Sequence, residues 1–596
     1  MEDTVVSPLS PPVHVLPAPR SFEVSEAGFT LLRTTPLLFQ AGTEDSAVTL
    51  AQKLRDGLGW PSSAERLPVV GNRAGAPVAG ALTLLLDPEQ DLGPEGYTLD
   101  STPEGIVLRA ATRLGALHAV RTLLQLLPQR VMDPEGALWG SADDEVLAVV
   151  PGAHIEDAPR WSHRGVMIDV ARSFLPVDDL LRVVEAVSLL KINVLHLHLV
   201  DDQGWRLEIT NEGRAEDDTH DYTQLTEVSG RTAVALPAWN GRPGRTGWYT
   251  QEDYRRILAF CHSRGMEVIP EIDLPGHVGA ALHALPGLCT PGSSHTSTPE
   301  EPTAPADCGI VVGYSYLDPH APATRAFLRH VLTQVMDLDP EGRRVHLGGD
   351  EPWAMADRYG AGPGSAYAEL LTWACEVVRG HGRVPIGWNE AWSAQPAQSL
   401  PSAQPAQSAV GTPGDAAASM QLQVWDVRGE ESAEGQRLAA ERGARFIMSP
   451  SRHAYLDMIW DAQAPLGLDW AGVLDLSAAR DWDPVGSVEA VGESSIEGVE
   501  ATVWSETARG VEDVETLLLP RLLGTAEVGW CQALPEDGSE RALTLDGFAH
   551  RCAAYGARMR AAGTRFVLVP GVPWRQAGPD YPKVAAEQDA ARAARS

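Results

Sequence analysis

Residues 165–205 read GVMIDVARSFLPVDDLLRVVEAVSLLKINVLHLHLVDDQGW. An apolar run at 165–170, a helical stretch at 177–190 and a second apolar run at 193–200 make a strand, a helix and a strand in close succession. That is the unit from which parallel sheets are built, because a parallel return needs a crossover long enough to hold a helix. Outward from this unit the alternation repeats. Strands are predicted at 267–272, 344–348, 384–388, 421–425, 445–448 and 499–504, with helices at 252–264, 322–338, 366–379 and 514–529 among them. Eight strand–helix units predict an α/β fold closed as a (β/α)8 TIM barrel over residues 156–565, a fold that gathers its chemistry at the C-terminal ends of the strands.

Ahead of the barrel, short strands at 82–87, 96–100 and 105–110 accompany a helix whose face is Ala116, Leu117, Val120, Leu123, Leu124 and Leu127, ended by Pro128. This predicts a small α+β domain over residues 1–155. Two stretches lack apolar periodicity. Residues 393–419 repeat SAQPAQS and are read as a surface insertion, and a second insertion lies near 289–308, flanked by Cys289 and Cys308. Those two cysteines could close a disulfide, although a reducing compartment would keep them as thiols. Residues 566–596 are read as a C-terminal tail.

The chain has 596 residues, 47 Lys and Arg against 80 Asp and Glu, and so a formal charge of −33. A surface of that sign repels phosphate backbones and anionic lipid, which argues against nucleic acid and membrane surfaces as partners. With 44% hydrophobic and 21% charged residues the composition is that of a globular protein. No apolar run approaches the roughly 20 residues that span a bilayer, and Met1–Arg20 lacks a basic stretch followed by an apolar one. The sequence as written is therefore expected in the cytoplasm, with secretion left open. Six cysteines without CxxC spacing give neither a disulfide scaffold nor a zinc knuckle. Seventeen tryptophans against nine phenylalanines favour flat rings with a polar edge, suited to packing on sugars.

The strand ends carry the candidate chemistry. HLGGDE at 346–351 runs a strand through two glycines into adjacent carboxylates, Asp350 and Glu351. Arg172 follows the first strand, Asp201 the second, Asp273 and His277 the third. Trp388, Trp425, Tyr455 with Asp457, and Trp504 with Glu506 follow the later ones. Aromatic faces with charged forks at one end of a barrel match a neutral polyol, which offers C–H faces to rings and hydroxyls to charges. Two other chemistries remain readable. His196 and His198 share a strand face and, with His277, His346 and an aspartate, could hold zinc, but they lie inside strands where buried hydrogen-bonded histidines are the usual case. A sugar-binding protein without catalysis would keep the tryptophans and lose the acid, yet Glu351 is present.

These motifs, together with RGVMIDVARSF at 164–174, HLHLVDDQGW at 196–205, PEIDLPGH at 270–277, GWNE at 387–390, YLDM at 455–458 and VWSE at 503–506, resemble the β-N-acetylhexosaminidases of glycoside hydrolase family 20 over nearly the whole chain. The resemblance implies an exo-acting, retaining hydrolase of terminal β-linked N-acetylglucosamine or N-acetylgalactosamine, working on oligosaccharides or glycoconjugates without metal or other cofactor. Neighbouring acids in an extended strand point apart and poorly suit the paired carboxyls of ordinary retaining glycosidases. Substrate assistance, in which the sugar's own acetamide attacks C1, needs only one general acid. By resemblance Glu351 is that acid, Asp350 holds the acetamide N–H, and Tyr455 donates to the acetamide oxygen. Trp388, Trp425 and Trp504 wall the pocket, Arg172 and Glu506 hold the 3- and 4-hydroxyls, and Asp457 takes the 6-hydroxyl. Asp201, Asp273, His277 and His346 orient the acid and set its protonation. The sequence departs from common members in Ser173-Phe174 after Arg172, where HF or HY is frequent, and in the insertion after Trp392.

Overall fold

The computed structural model describes residues 15–58, 70–71, 76–127, 146–235, 243–288, 309, 311–394, 420–428, 430–488, 491–532 and 545–574. Cys289 and Cys308, nearly all of the 393–419 insertion and the tail beyond 574 lie outside them.

The first unit is a seven-stranded sheet of β1 (Ser21–Leu32), β2 (Leu37–Phe39), β3 (Val70–Gly71), β4 (Leu82–Leu86), β5 (Tyr97–Thr102), β6 (Gly105–Ala110) and β7 (Val146–Asp157), in the order β1-β7-β5-β6-β4-β2-β3. Helices Glu44–Leu58 and Arg113–Leu126 pack against the sheet and each other, burying Leu50, Leu54, Val120, Leu123 and Leu124 in a core shared with Leu84, Leu99 and Leu108. Thr112 starts the second helix, its hydroxyl accepting from the N–H groups of Leu114 and Gly115 at 3.2 and 3.3 Å.

The second unit is the expected barrel. Its strands are β8 (His163–Asp169), β9 (Val194–His198), β12 (Glu267–Glu271), β13 (Arg344–His346), β14 (Val384–Trp388), β15 (Gln421–Val424), β16 (Arg445–Met448) and β17 (Ile496–Val503). A short hairpin of β10 (Val200–Asp201) and β11 (Gly204–Trp205) follows β9. All eight predicted strands take part, with ends displaced by three residues or fewer. Parallel pairing of β17 with β8, from Gly498 opposite His163 to Val503 opposite Ile168, closes the ring. The helix expected over 514–529 is instead two, Val511–Leu518 and Arg521–Trp530. Pro520 stands between them without an N–H to continue the first. The Arg521 guanidinium at the break donates to the carbonyls of Met458 and Leu474 at 2.7 and 2.9 Å.

Inside the barrel one apolar layer, Val194, Ile269, Ile386 and Ile447, is buried. Beside it runs a polar core. His163 Nε2 meets Glu500 at 2.8 Å, Glu500 meets His196 Nδ1 at 2.7 Å, and His196 Nε2 lies 3.2 Å from Glu271. Glu271 in turn meets His198 Nδ1 at 2.5 Å, and His198 Nε2 meets Asp201 at 2.8 Å. Acids and imidazoles alternate, so each buried charge has an opposite neighbour, which is what burial of ions requires.

Candidate active site

The line of buried ions ends at the C-terminal mouth of the barrel, where the predicted residues converge. After β13 the chain passes through Gly348 (φ +64°) and Gly349 (φ +94°) to Asp350 and Glu351. A Cβ on Gly348 would collide with the Asp273 carboxylate, so the chain can cross there only as glycine. Asp273 accepts the Gly349 N–H at 3.2 Å, and the Tyr367 hydroxyl donates to the Gly349 carbonyl. Glu351 itself has φ +46°, a left-handed conformation that costs a non-glycine residue about 1–2 kcal/mol and persists only where surroundings impose it.

That conformation overturns one expectation. The two acids are not consecutive residues of an extended strand, since β13 ends at His346, and their carboxylates do not diverge. Both approach one imidazole nitrogen: His277 Nε2 is 3.7 Å from Asp350 and 3.5 Å from Glu351, while His277 Nδ1 lies 3.3 Å from Asp201. His277 is also left-handed, at φ +52°. Burial alone would lower its pKa, but the carboxylates of Asp201 and Asp350 hold it well above the usual imidazole range, as a cation. Asp350 is pushed up to about 6, first by burial and then by the charge of Glu351, with His277 opposing. Asp273 is held well above the ordinary carboxylate range by burial and the nearby Asp350.

Arg172 is set by a turn. Asp169, last in β8, accepts the N–H groups of Ala171 and Arg172 at 2.7 and 3.2 Å, and its other oxygen takes Ser505 N and Oγ at 2.9 Å. The β8 and β17 loops are thus stitched together, with the Arg172 guanidinium 4.9 Å from the centre of the Trp504 ring. Arg172 pairs with Asp201 at 2.7 Å and donates to Gln203 at 3.0 Å, while its Nη1 makes no hydrogen bond. Both carboxylate oxygens of Asp457 and Oε2 of Glu506 are likewise buried without a hydrogen-bond partner. Burial raises both acids, Glu506 to about 7.

The aromatic walls are pinned from behind. Trp388 Nε1 donates to Glu271 at 2.9 Å, and Trp425 Nε1 to Glu390 at 3.0 Å. Ring centres lie 5.9 Å apart for Trp388 and Trp504, 6.1 Å for Tyr455 and Trp504, and 6.2 Å for Trp425 and Tyr455. His346 stands below the mouth. It contacts Trp388, lies 2.9 Å from Glu271 and accepts the Gly348 N–H at 3.0 Å, supporting the wall and the glycine turn rather than touching either acid.

Sequence reasoning gave no role to Glu390, Glu271 and Gln203, which stand in its strand-end motifs, and did not single out Trp470. Glu390 is raised to about 8 by burial and by Asp350, and its place directly after Trp388-Asn389 at a strand end was the available signal. Trp470, with its ring 5.7 Å from Tyr455, sits in a long loop that carries no such marker. Four sets of donors approach within 4.8 Å of one another as a cation would need, including His196, Glu271 and His346. In that set Glu271 is already engaged by His198 and Trp388. Among the described residues no helix is long and apolar enough to cross a membrane.

The family model for the catalytic domain of glycosyl hydrolase family 20 matches residues 161–533, and that for domain 2 of the same family matches residues 13–158. A β-N-acetylhexosaminidase of Cellulomonas fimi is 35% identical over 95% of this chain and 98% of its own length. An N,N'-diacetylchitobiase of Vibrio harveyi is 25% identical over 85% of this chain and 63% of its own. Among solved structures, the Streptomyces plicatus N-acetyl-β-hexosaminidase in complex with thio-NAglucal superposes with a TM-score of 0.76 at 31% identity, covering 96% of this chain and 99% of that one. With both domain models in order along the chain and the barrel mouth built as described, the protein is a glycoside hydrolase and belongs to glycosyl hydrolase family 20.

Proposed function

We propose that the chain is an exo-acting β-N-acetylhexosaminidase, removing terminal non-reducing β-linked N-acetylglucosamine or N-acetylgalactosamine from oligosaccharides or glycoconjugates with retention of configuration. The observation that supports this reading is the convergence of Asp350 and Glu351 on one nitrogen, Nε2, of His277. Consecutive acids on one turn that share one imidazole nitrogen approach the substrate from one side rather than flanking a glycosidic bond, which suits a substrate that brings its own nucleophile. Glu351, partly exposed, gives its proton to the glycosidic oxygen as the C1–O bond breaks. The acetamide carbonyl oxygen bonds to C1, forming an oxazolinium ring. The Asp350 carboxylate accepts the acetamide N–H and balances the new positive charge, while Tyr455 donates to the acetamide oxygen. Glu351, now ionised, takes a proton from water as its oxygen attacks C1 and the ring reopens.

Trp388, Trp425 and Trp504 shape the acetamide pocket. The atoms of Arg172, Asp457 and Glu506 that make no hydrogen bond suit the 3-, 4- and 6-hydroxyls. Asp201, His277 and Asp273 position the acids without touching substrate. The reading is tested by initial rates on an aryl β-N-acetylglucosaminide and the matching aryl β-glucoside, both with chelator. Rapid release from the first and almost none from the second is the expected result. Equal rates would point to an ordinary two-carboxylate glycosidase, and activity lost to chelator and restored by zinc would point to the histidine sets.

A further inference from the structure

We propose that a cavity on the flank of the barrel, away from the mouth, is a binding site for a small carboxylate with an apolar body, held by Arg558 and Tyr555. The cavity has a volume of about 140 Å³ and lies where three helices meet: Glu44–Leu58 of the sheet unit, Val177–Ser188, which follows β8, and Leu545–Ala561. Leu189 and Leu190, just past the second of these, lead toward the start of β9, so the cavity sits at the N-terminal end of the barrel, opposite Asp350 and Glu351. Leu189, Leu190, Leu519 and Met559 give it apolar walls. A cavity of about 150 Å³ with walls of this kind holds one benzene ring.

The polar groups that line the cavity are unevenly matched. Lys53 pairs with Glu185 at 2.6 Å and Arg182 with Glu515 at 2.7 Å, but among the described residues no carboxylate pairs with Arg558, which is 8% exposed. The Arg558 guanidinium donates to the carbonyls of Leu124 and Leu127 at 3.0 and 2.6 Å and to that of Gln125, which uses three of its five N–H groups and leaves Nε–H and one Nη1–H over. Those carbonyls end the helix Arg113–Leu126 and offer about half an elementary charge, so part of the cation is left unbalanced. Burial accordingly pulls Arg558 down to about 10, with only the Tyr555 phenol opposing it. Tyr555 is 4% exposed, and its hydroxyl makes no hydrogen bond among the described residues. Burial pushes its pKa up, so the hydroxyl keeps its proton. A buried cation short of an anion and a buried phenol short of an acceptor thus line one cavity.

A carboxylate answers both needs at once, accepting from the Tyr555 O–H and from the remaining Arg558 N–H groups. The leucine and methionine walls require the rest of the ligand to be hydrocarbon, and the volume limits it to about one six-membered ring. A sugar would bring hydroxyls that those walls leave without partners, so the cavity is no second saccharide site. Inorganic phosphate has the charge but nothing to set against the walls.

Benzoate is the probe, titrated calorimetrically into the full chain at neutral pH beside benzyl alcohol, which has nearly the same size and no charge. Benzoate should bind once per chain, and benzyl alcohol at least about tenfold more weakly, because it leaves the Arg558 charge unanswered. Removing Arg558 would also free a helix end, so two other variants carry the test. Tyr555→Phe should weaken benzoate about tenfold, and Ala186→Phe, which puts a ring into the cavity, should abolish its binding, both with the circular dichroism of the wild type. No binding of benzoate, equal binding of benzyl alcohol, or an affinity for benzoate unchanged in either variant would overturn the proposal. None of these outcomes depends on the glycosidase reading.

Discussion

Glu351 is strained in backbone and Asp350 in charge, and both strains have consequences that can be measured. Glu351→Gln keeps the shape but has no proton to give. Chitobiose hydrolysis should fall by about 10²–10⁴, while an aryl substrate with a strongly acidic phenol should lose far less. Near-normal chitobiose turnover in that variant would remove Glu351 from the role. Asp350 works as an anion, and its carboxyl is pushed up to about 6 by burial. Activity should therefore drop as pH falls through about 6, as the charged form is lost; because Asp350 titrates with its neighbours, the limb belongs to the group rather than to one residue. Asp350→Asn should lose about 10²–10³ in kcat and should flatten that limb, and a limb that survives in Asp350→Asn would assign it elsewhere. At this scale the sequence showed residues that stand just past a strand, such as Arg172, Trp388 and Glu506. It hid Glu271 and Glu500, acids inside apolar strands whose partners His198 and His196 lie 73 and 304 residues away.

At the scale of elements, the eight barrel strands were legible because each is a short apolar run between helical stretches, and a strand buried on both faces must look like that. The strands β1 and β7 were not, since their long antiparallel pairing joins Ser21 to Glu156 across the whole domain and leaves no local period to read. Nor was the break at Pro520, where apolar spacing continues through the interruption. The turn after β13 was legible in kind but not in shape. GGDE announced an exposed corner, whereas the left-handed conformation of Glu351 depends on what Gly348 and Asp273 do to each other in space. Gly348→Ala tests that turn: a methyl there meets the Asp273 carboxylate at a φ of +64°. The variant should lose about 1–3 kcal/mol of stability by thermal unfolding and most of its activity, because the acids move with the turn. A Gly348→Ala enzyme of unchanged Tm and rate would show that the turn imposes nothing on them.

The whole molecule is tied across its two units by ions that are buried, and this makes its stability a function of pH. Glu95 of the sheet unit pairs with Arg164 of β8 and meets His118 at 2.9 Å, and Asp157 meets Lys191 at 2.7 Å beneath Trp530. These partners lie far apart in sequence, so no local pattern foretold them. Burial drives His118 down to about 3 from an ordinary 6.5. Glu95, which burial alone would raise, is brought down to about 2 from 4.5 by Arg164 and His118. In both cases the unfolded chain takes up protons that the folded one refuses, so stability is lost as pH falls, from 6.5 toward 3 for His118 and from 4.5 toward 2 for Glu95. At the mouth the sign reverses. Glu390 and Glu506, raised from 4.5 to about 8 and about 7, keep protons that the unfolded chain gives up, so their contribution falls as pH rises above 4.5. The two halves of the molecule thus oppose each other, the junction weakening in acid and the empty-handed acids of the mouth weakening the fold toward neutrality. Replacing His118 by Gln separates them, since a neutral amide has no proton to refuse. The difference in Tm between His118→Gln and the wild type should grow in favour of the variant as pH falls from 6.5 to 4.5, while both proteins keep the loss below 4.5 that belongs to Glu95. Parallel curves for the two proteins would mean that the acid sensitivity arises outside this junction.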